Sequence, residues 1–210
     1  MTPFSPRERA AIAAAITRAE AKTSGEIVVV AAAASDGYRS FALLWAALIA
    51  LAVPLPLILA TKWPVEYIYL LQLATFVVVA ALFQWQPLRF ALVPGAVMRA
   101  RAHQKAVEQF LVQNLHTTKG RTGVLIYVSF AERFAEVIAD DGIYRKVKPK
   151  VWEEVIAELT GHLSRGTRDQ GFITAIEMCG KILAEHFPPG RADRDELPNH
   201  LIVLNGYARA

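Results

Sequence analysis

The chain has 210 residues, a formal net charge of +4 and a hydrophobic fraction of 54%, above the roughly 45–50% usual for soluble chains. So small and dispersed a charge does not make a nucleic-acid groove, and no nucleic-acid partner is expected. The single cysteine, Cys179, excludes an internal disulfide and a multi-cysteine metal site.

No apolar stretch follows the basic residues of the first ten positions, so no cleavable signal peptide is expected. Ser5-Pro6-Arg7-Glu8 supplies a capping serine, a proline at the first helical position and a glutamate three residues after the cap, which predicts a helix start. Ile12, Ala15, Ile16 and Ala19 continue it at helical spacing, and Ser24-Gly25 ends it. The β-branched run from Glu26 to Ala31 then reads as a strand buried on both faces.

Phe41 to Ala60 contains no charged residue and is long enough, at about 1.5 Å per residue, to cross a hydrocarbon core of about 30 Å. Pro54 and Pro56 predict a kink in its second half. Tyr67 to Trp85 is a second span after a short loop, so the two form an antiparallel hairpin. Trp63, Tyr67 and Tyr69 at one end and Trp45 and Trp85 toward the other suit aromatic belts. Lys22, Arg39, Arg89, Arg99, Arg101 and Lys105 flank the spans on the side of the termini, whereas the connecting loop offers only Lys62. The positive-inside rule therefore predicts a protein of the bacterial inner membrane with both termini and the soluble domain cytoplasmic. Residues 86–94 either extend the second span or lie along the interface.

After the hairpin, Val107, Phe110, Leu111 and Leu115 mark the apolar stripe of a helix over about 95–116. Thr122–Ser129 and Phe134–Asp140, separated by a polar turn with Glu132 and Arg133, read as an antiparallel strand pair. Two helices follow, one with Trp152, Val155, Ile156, Leu159 and Leu163 on a face, the other with Phe172, Ala175, Ile176, Cys179, Ile182 and Leu183. Thr167 and Gln170 suggest a second capping box, and Leu197–Leu204 a short docking strand within a charged tail. The expected fold class is α/β, an α/β/α sandwich with a small mixed sheet of about three strands. The expected organisation is 1–38 as the first part of the domain, 39–94 as the inserted hairpin, 95–187 as the second part and 188–210 as the tail. Neither part can cover the buried strand alone, so the sheet must close across the insertion.

Taken in order, Thr23-Ser-Gly-Glu-Ile-Val28, Gly123-Val-Leu-Ile-Tyr-Val-Ser129, Glu132-Arg133, Ala139-Asp-Asp-Gly-Ile143 and the helix after Gln170-Gly171 resemble the TPM domain family, formerly a domain of unknown function. The resemblance covers most of the chain outside the apolar stretch. It implies an α/β/α sandwich, association with membrane complexes, divalent-metal binding in some members and weak acid phosphatase activity in others. Many relatives carry a signal peptide and an extracytoplasmic domain anchored by a later helix, whereas here the apolar stretch lies inside the domain.

Asp140 and Asp141 stand where a strand meets a turn, and with Asp36 they form a candidate oxygen-ligand site that would suit Ca²⁺ or Mg²⁺. The preferred reading of Asp-Asp-Gly is a solvated turn, and no cofactor is required. Arg145, Lys146, Lys148 and Lys150 form a basic run that suits a phosphate or lipid headgroup as well as a solvated loop. Ser129 lacks a nucleophile elbow and reads as a turn former, and Glu26 as an exposed strand-start residue. The five histidines show no ligand spacing. The favoured function is a non-enzymatic, membrane-anchored binding or assembly module acting on a partner membrane protein or complex; the alternative is a weak divalent-metal-dependent phosphatase using Asp140 and Asp141.

Overall fold

The computed structural model describes residues 4–118, 120–189 and 197–204. In chain order the elements are α1 (Pro6–Glu20), β1 (Glu26–Ala32), α2 (Arg39–Ala52), α3 (Pro54–Ala60), α4 (Val65–Leu82), α5 (Gln86–Ala91) and α6 (Gly95–Val112). A 3-10 turn at Leu115–Thr117 leads to β2 (Gly123–Ser129), β3 (Phe134–Ala139), α7 (Asp141–Tyr144), α8 (Pro149–Ser164), α9 (Arg168–His186) and β4 (Leu201–Leu204). They fall into two compact units, Met1–Ser35 with Arg99–Ala210, and Asp36–Met98.

The first unit is a mixed α/β fold around one four-stranded sheet of order β3-β2-β1-β4. β1 pairs in parallel with β2, Glu26 opposite Gly123 and Ala32 opposite Ser129, and in parallel with β4 on its other side. β3 closes the far edge antiparallel to β2. All seven residues of β1 and all seven of β2 are buried, as expected for parallel strands covered on both faces. Alternation along the strands sorts the core. Ile27, Val29, Val124 and Ile126 join the inner faces of α1, α8 and α9, while Val28, Val30, Leu125 and Tyr127 join Ala106 and Phe110 of α6. The sheet thus closes between segments separated by the whole second unit, and the docking strand expected within Leu197–Leu204 forms over Leu201–Leu204 and joins the other three.

Several local expectations need correction. α6 ends at Val112, because Asn114 takes a left-handed conformation (φ 58°) and starts the 3-10 turn. Its buried face is Ala102, Ala106, Gln109 and Phe110, so Val107 and Leu111, taken as core residues, are exposed at 39% and 51%. Thr167 does not cap α9; its hydroxyl donates instead to the His162 carbonyl. At the start of the chain the capping box forms as expected, Ser5 Oγ accepting from the Glu8 amide and Glu8 Oε2 from the Ser5 amide.

In the second unit α2 stops at Ala52 and α3 restarts at Pro54, whose ring cannot accept the preceding helix's hydrogen-bond pattern. The buried residues of α2 are Ala42, Ala46 and Ala50, one small side chain per turn, on the helix that packs against α4. Trp85, extended at ψ 120°, breaks the chain between α4 and α5, so residues 86–91 are a separate short helix rather than a continuation. Trp45 Nε1 donates to the Leu92 carbonyl at 3.2 Å, and the rings of Tyr38 and Phe90 meet edge to face, which ties α5 back to α2.

Glu8 also accepts from Arg168 at the start of α9 at 3.1 Å. That bond first, then those from Ser5, hold its carboxyl at about 2 against an ordinary 4.5. A carboxyl lower in the folded than in the unfolded chain contributes stability that is complete above about 4.5 and is lost as pH falls through about 2. We expect Arg168→Met to flatten the fall in melting temperature between those two pH values relative to wild type. Parallel curves for the two proteins would show that the α1–α9 contact carries no such linkage.

Candidate functional site

The carboxyl ends of the parallel strands β1 and β2 carry a buried polar network. Ser35, three residues beyond β1, faces Tyr127 and Ser129 of β2 and Glu132 of the following turn, and all four are no more than 7% exposed. Tyr127 and Ser129 share one face of β2 because they are two residues apart. Ser35 Oγ lies 2.9 Å from the Tyr127 hydroxyl and donates to Ser129 Oγ at 2.9 Å, and Ser129 Oγ in turn donates to Glu132 Oε2. Each hydroxyl has one proton, so the order is fixed: Tyr127 to Ser35 to Ser129 to the carboxylate. The Ser35 amide donates to Glu132 Oε1 at 2.9 Å and closes the ring.

Burial pushes the Tyr127 phenol above its ordinary range, and the bonds to Ser35 and Ser129 oppose that shift only in part, so Tyr127 stays a protonated donor. Ser129 is wholly buried, which shuts its oxygen away from any substrate. What the network does is mechanical. It fastens the last residue before the inserted unit to the β2–β3 turn. Reading Ser129 as a turn former missed this, because the signal is joint: alternate polar residues at the end of a strand, with a glutamate three residues on.

At the opposite end of the sheet lie Asp140 and Asp141. Asp140, 6% exposed, caps α7 through its own Oδ1 to the Asp141 amide at 2.7 Å, and Arg121 Nη1 stands 3.8 Å away. The turn packs so closely on residues 120–121 that a Cβ on Gly142 would come within 2.5 Å of the Arg121 carbonyl oxygen, hence glycine. Ser35, directly before Asp36, sits at the far end of β1, seven residues or about 20 Å from the end that holds Asp140. The three aspartates proposed as a metal site are therefore not assembled. Asp140 Oδ2 is buried without a hydrogen-bond partner, but the neighbouring guanidinium opposes a cation there. Among the described residues no three His, Cys, Asp or Glu side chains form a group that could hold a metal. Glu26, expected to be exposed, is 7% exposed.

The basic run is divided in its contacts. Lys146 donates to the His186 carbonyl at 3.2 Å and lies 4.4 Å over the Phe187 ring, while Arg145, Lys148 and Lys150 are exposed around the start of α8. Cys179 is buried and its thiol is pushed up to about 12 by desolvation, which makes it an unreactive core residue.

The unit with this sheet is a mixed α/β domain with a polar lock at its carboxyl edge. Residues 95–182, from α6 into α9, match the TPM domain family. Among solved structures, the NMR structure of the BA42 protein from the psychrophilic bacterium Bizionia argentinensis is similar with a TM-score of 0.62 and 22% identity, covering 97% of each chain. At that identity the likeness is one of fold. No curated protein matches the chain.

Removing the Glu132 carboxylate leaves the Ser35 amide and the Ser129 hydroxyl buried and unpaired. Glu132→Ala is expected to cost about 2–5 kcal/mol and Tyr127→Phe only about 1 kcal/mol, because the phenol is a terminal donor. Chemical denaturation checks the order, and equal costs for the two variants would contradict the ring of bonds described.

Proposed function

We propose that the chain is a membrane-anchored binding module, in which residues 39–94 form a helical hairpin in the bilayer and a TPM-like domain acts on a partner membrane protein. The observation that carries this reading is exposed apolar surface. Helices Arg39–Ala60 and Val65–Leu82 are long and apolar enough to cross a membrane, and only 17% and 6% of their most apolar stretches are buried. A core helix of a soluble protein with that composition would be mostly buried. Among the described residues, every large exposed hydrophobic side chain except Val107, Leu111, Val112 and Tyr144 lies between Leu43 and Trp85. So large an apolar face in water favours aggregation, whereas in lipid it needs no cover.

Trp63, Tyr67 and Tyr69 at one end and Trp85 at the other are exposed aromatics placed where headgroups would meet them. The excess of basic residues next to the termini side supports a cytoplasmic domain. Arg145, Lys148 and Lys150 suit anionic headgroups or phosphate, each cation contributing about 1 kcal/mol near an anionic surface. A partner protein is favoured over catalysis because the buried polar residues at the carboxyl ends of β1 and β2, Ser35, Tyr127, Ser129 and Glu132, are engaged with one another.

The expected outcome is that the protein stays in the pellet after alkaline carbonate washing of bacterial membranes. Trypsin should digest the α/β domain in inverted vesicles and spare it in right-side-out ones. Release by carbonate would overturn the anchor, and the reverse protease pattern would overturn the orientation. In mild detergent at native expression a membrane protein should co-purify reproducibly; recovery of the chain alone would count against the partner.

A further inference from the structure

A cleft of about 470 Å³ opens between the start of β3 and the last turns of α8. That volume falls in the range of roughly 300–1,000 Å³ typical of small-molecule sites. Val128, Phe130, Phe134, Ala135 and Leu163 make its lining largely apolar. Two hydroxyls that also line it are committed as donors, Thr160 to the Ile156 carbonyl at 2.8 Å and Ser164 to the Gly161 carbonyl at 2.8 Å, and the Ser129 hydroxyl is buried behind the lining. Among the described side chains of the cleft, the donor left over is Arg133, which is exposed and whose guanidinium makes no hydrogen bond or ion pair with another described residue.

Arg133 is also held in an unusual backbone state. Its φ is 50°, and its amide closes the turn onto the Phe130 carbonyl at 3.2 Å. Glycine or asparagine takes this left-handed turn position at little cost, and arginine does not. Among the described residues no polar contact of the guanidinium offsets that cost, which points to a ligand from outside the domain. The carbonyl end of α8 reaches the same region and would repel an anion. Arg165 counters it by folding its guanidinium back over Gly161, where an added Cβ would meet Nη1 at 3.4 Å.

We propose that this cleft binds a small organic carboxylate, with its apolar body on the Phe130–Phe134–Leu163 lining and its carboxylate on the planar fork of Arg133, a geometry suited to two parallel hydrogen bonds. The inference is independent of the membrane anchor and of the partner proposed above.

The test is calorimetric titration of the full chain in phosphatidylcholine nanodiscs with 3-phenylpropionate, against 3-phenylpropanol and propionate, with empty nanodiscs as the blank. Phenylpropionate should saturate one site, and each truncated probe should bind at least tenfold more weakly. Arg133→Gly should weaken phenylpropionate at least tenfold while raising the melting temperature, since it relieves the backbone; Arg133→Asn, which tolerates the same conformation, should lose binding with the fold unchanged. Absence of saturable binding, equal affinity for the neutral alcohol, or full affinity in either variant would each overturn the proposal.

Discussion

The structure depends on β1 finding its neighbours. Glu26–Ala32 is buried along its whole length, and its backbone groups can be satisfied only by a strand on each side. One neighbour, β2, begins 90 residues or so further along the chain, and the other, β4, near its end. Every other feature follows from that closure. α1, α8 and α9 cover one face and α6 the other, since a parallel strand exposed on either face would leave Val28, Val30 or Ile27 and Val29 in water. The long separation also explains why the polar lock stands where it does. Ser35 is the last residue before the inserted unit, and tying its amide and hydroxyl to Glu132 and Ser129 fixes the exit of β1 to the turn after β2.

Much of this was legible from residue types. A capping serine with glutamate three residues on, a run of valines after Ser-Gly, and two strands joined by a polar turn each have one favourable local structure, and each forms. The requirement that the sheet close across the insertion followed from the burial of β1 alone. What periodicity could not settle was rotation and ending. α6 carries apolar residues on more than one face, so Val107 and Leu111 looked as suitable for the core as Ala102 and Ala106, and the small residues won because they let the helix lie close to the sheet. The capping-box pattern at Thr167 did not form: its backbone stands at φ −97° and ψ 57° and its hydroxyl turns back to the end of α8, donating to the His162 carbonyl.

The candidate site was harder to read, for a physical reason. Adjacent acidic residues are conspicuous in a sequence, yet Asp140 and Asp141 are explained by a helix cap and a neighbouring arginine. The buried network is drawn from Ser35 and, 92 to 97 residues further on, Tyr127, Ser129 and Glu132, ordinary residues that only strand register brings together. Arg133 drew notice only as part of a polar turn, since nothing in a sequence reports a positive φ at a non-glycine residue.

The central claim is that the α/β unit is complete without Asp36–Met98, and that this segment carries most of the large exposed hydrophobic side chains among the described residues. Excision of residues 37–98 with a flexible Gly/Ser linker of about 12 residues in their place tests it most directly. The account predicts a monomer that is soluble without detergent, with one cooperative unfolding transition and an α/β circular-dichroism spectrum. An aggregated or non-cooperative product would contradict it, because it would mean that the core needs the segment assigned here to lipid.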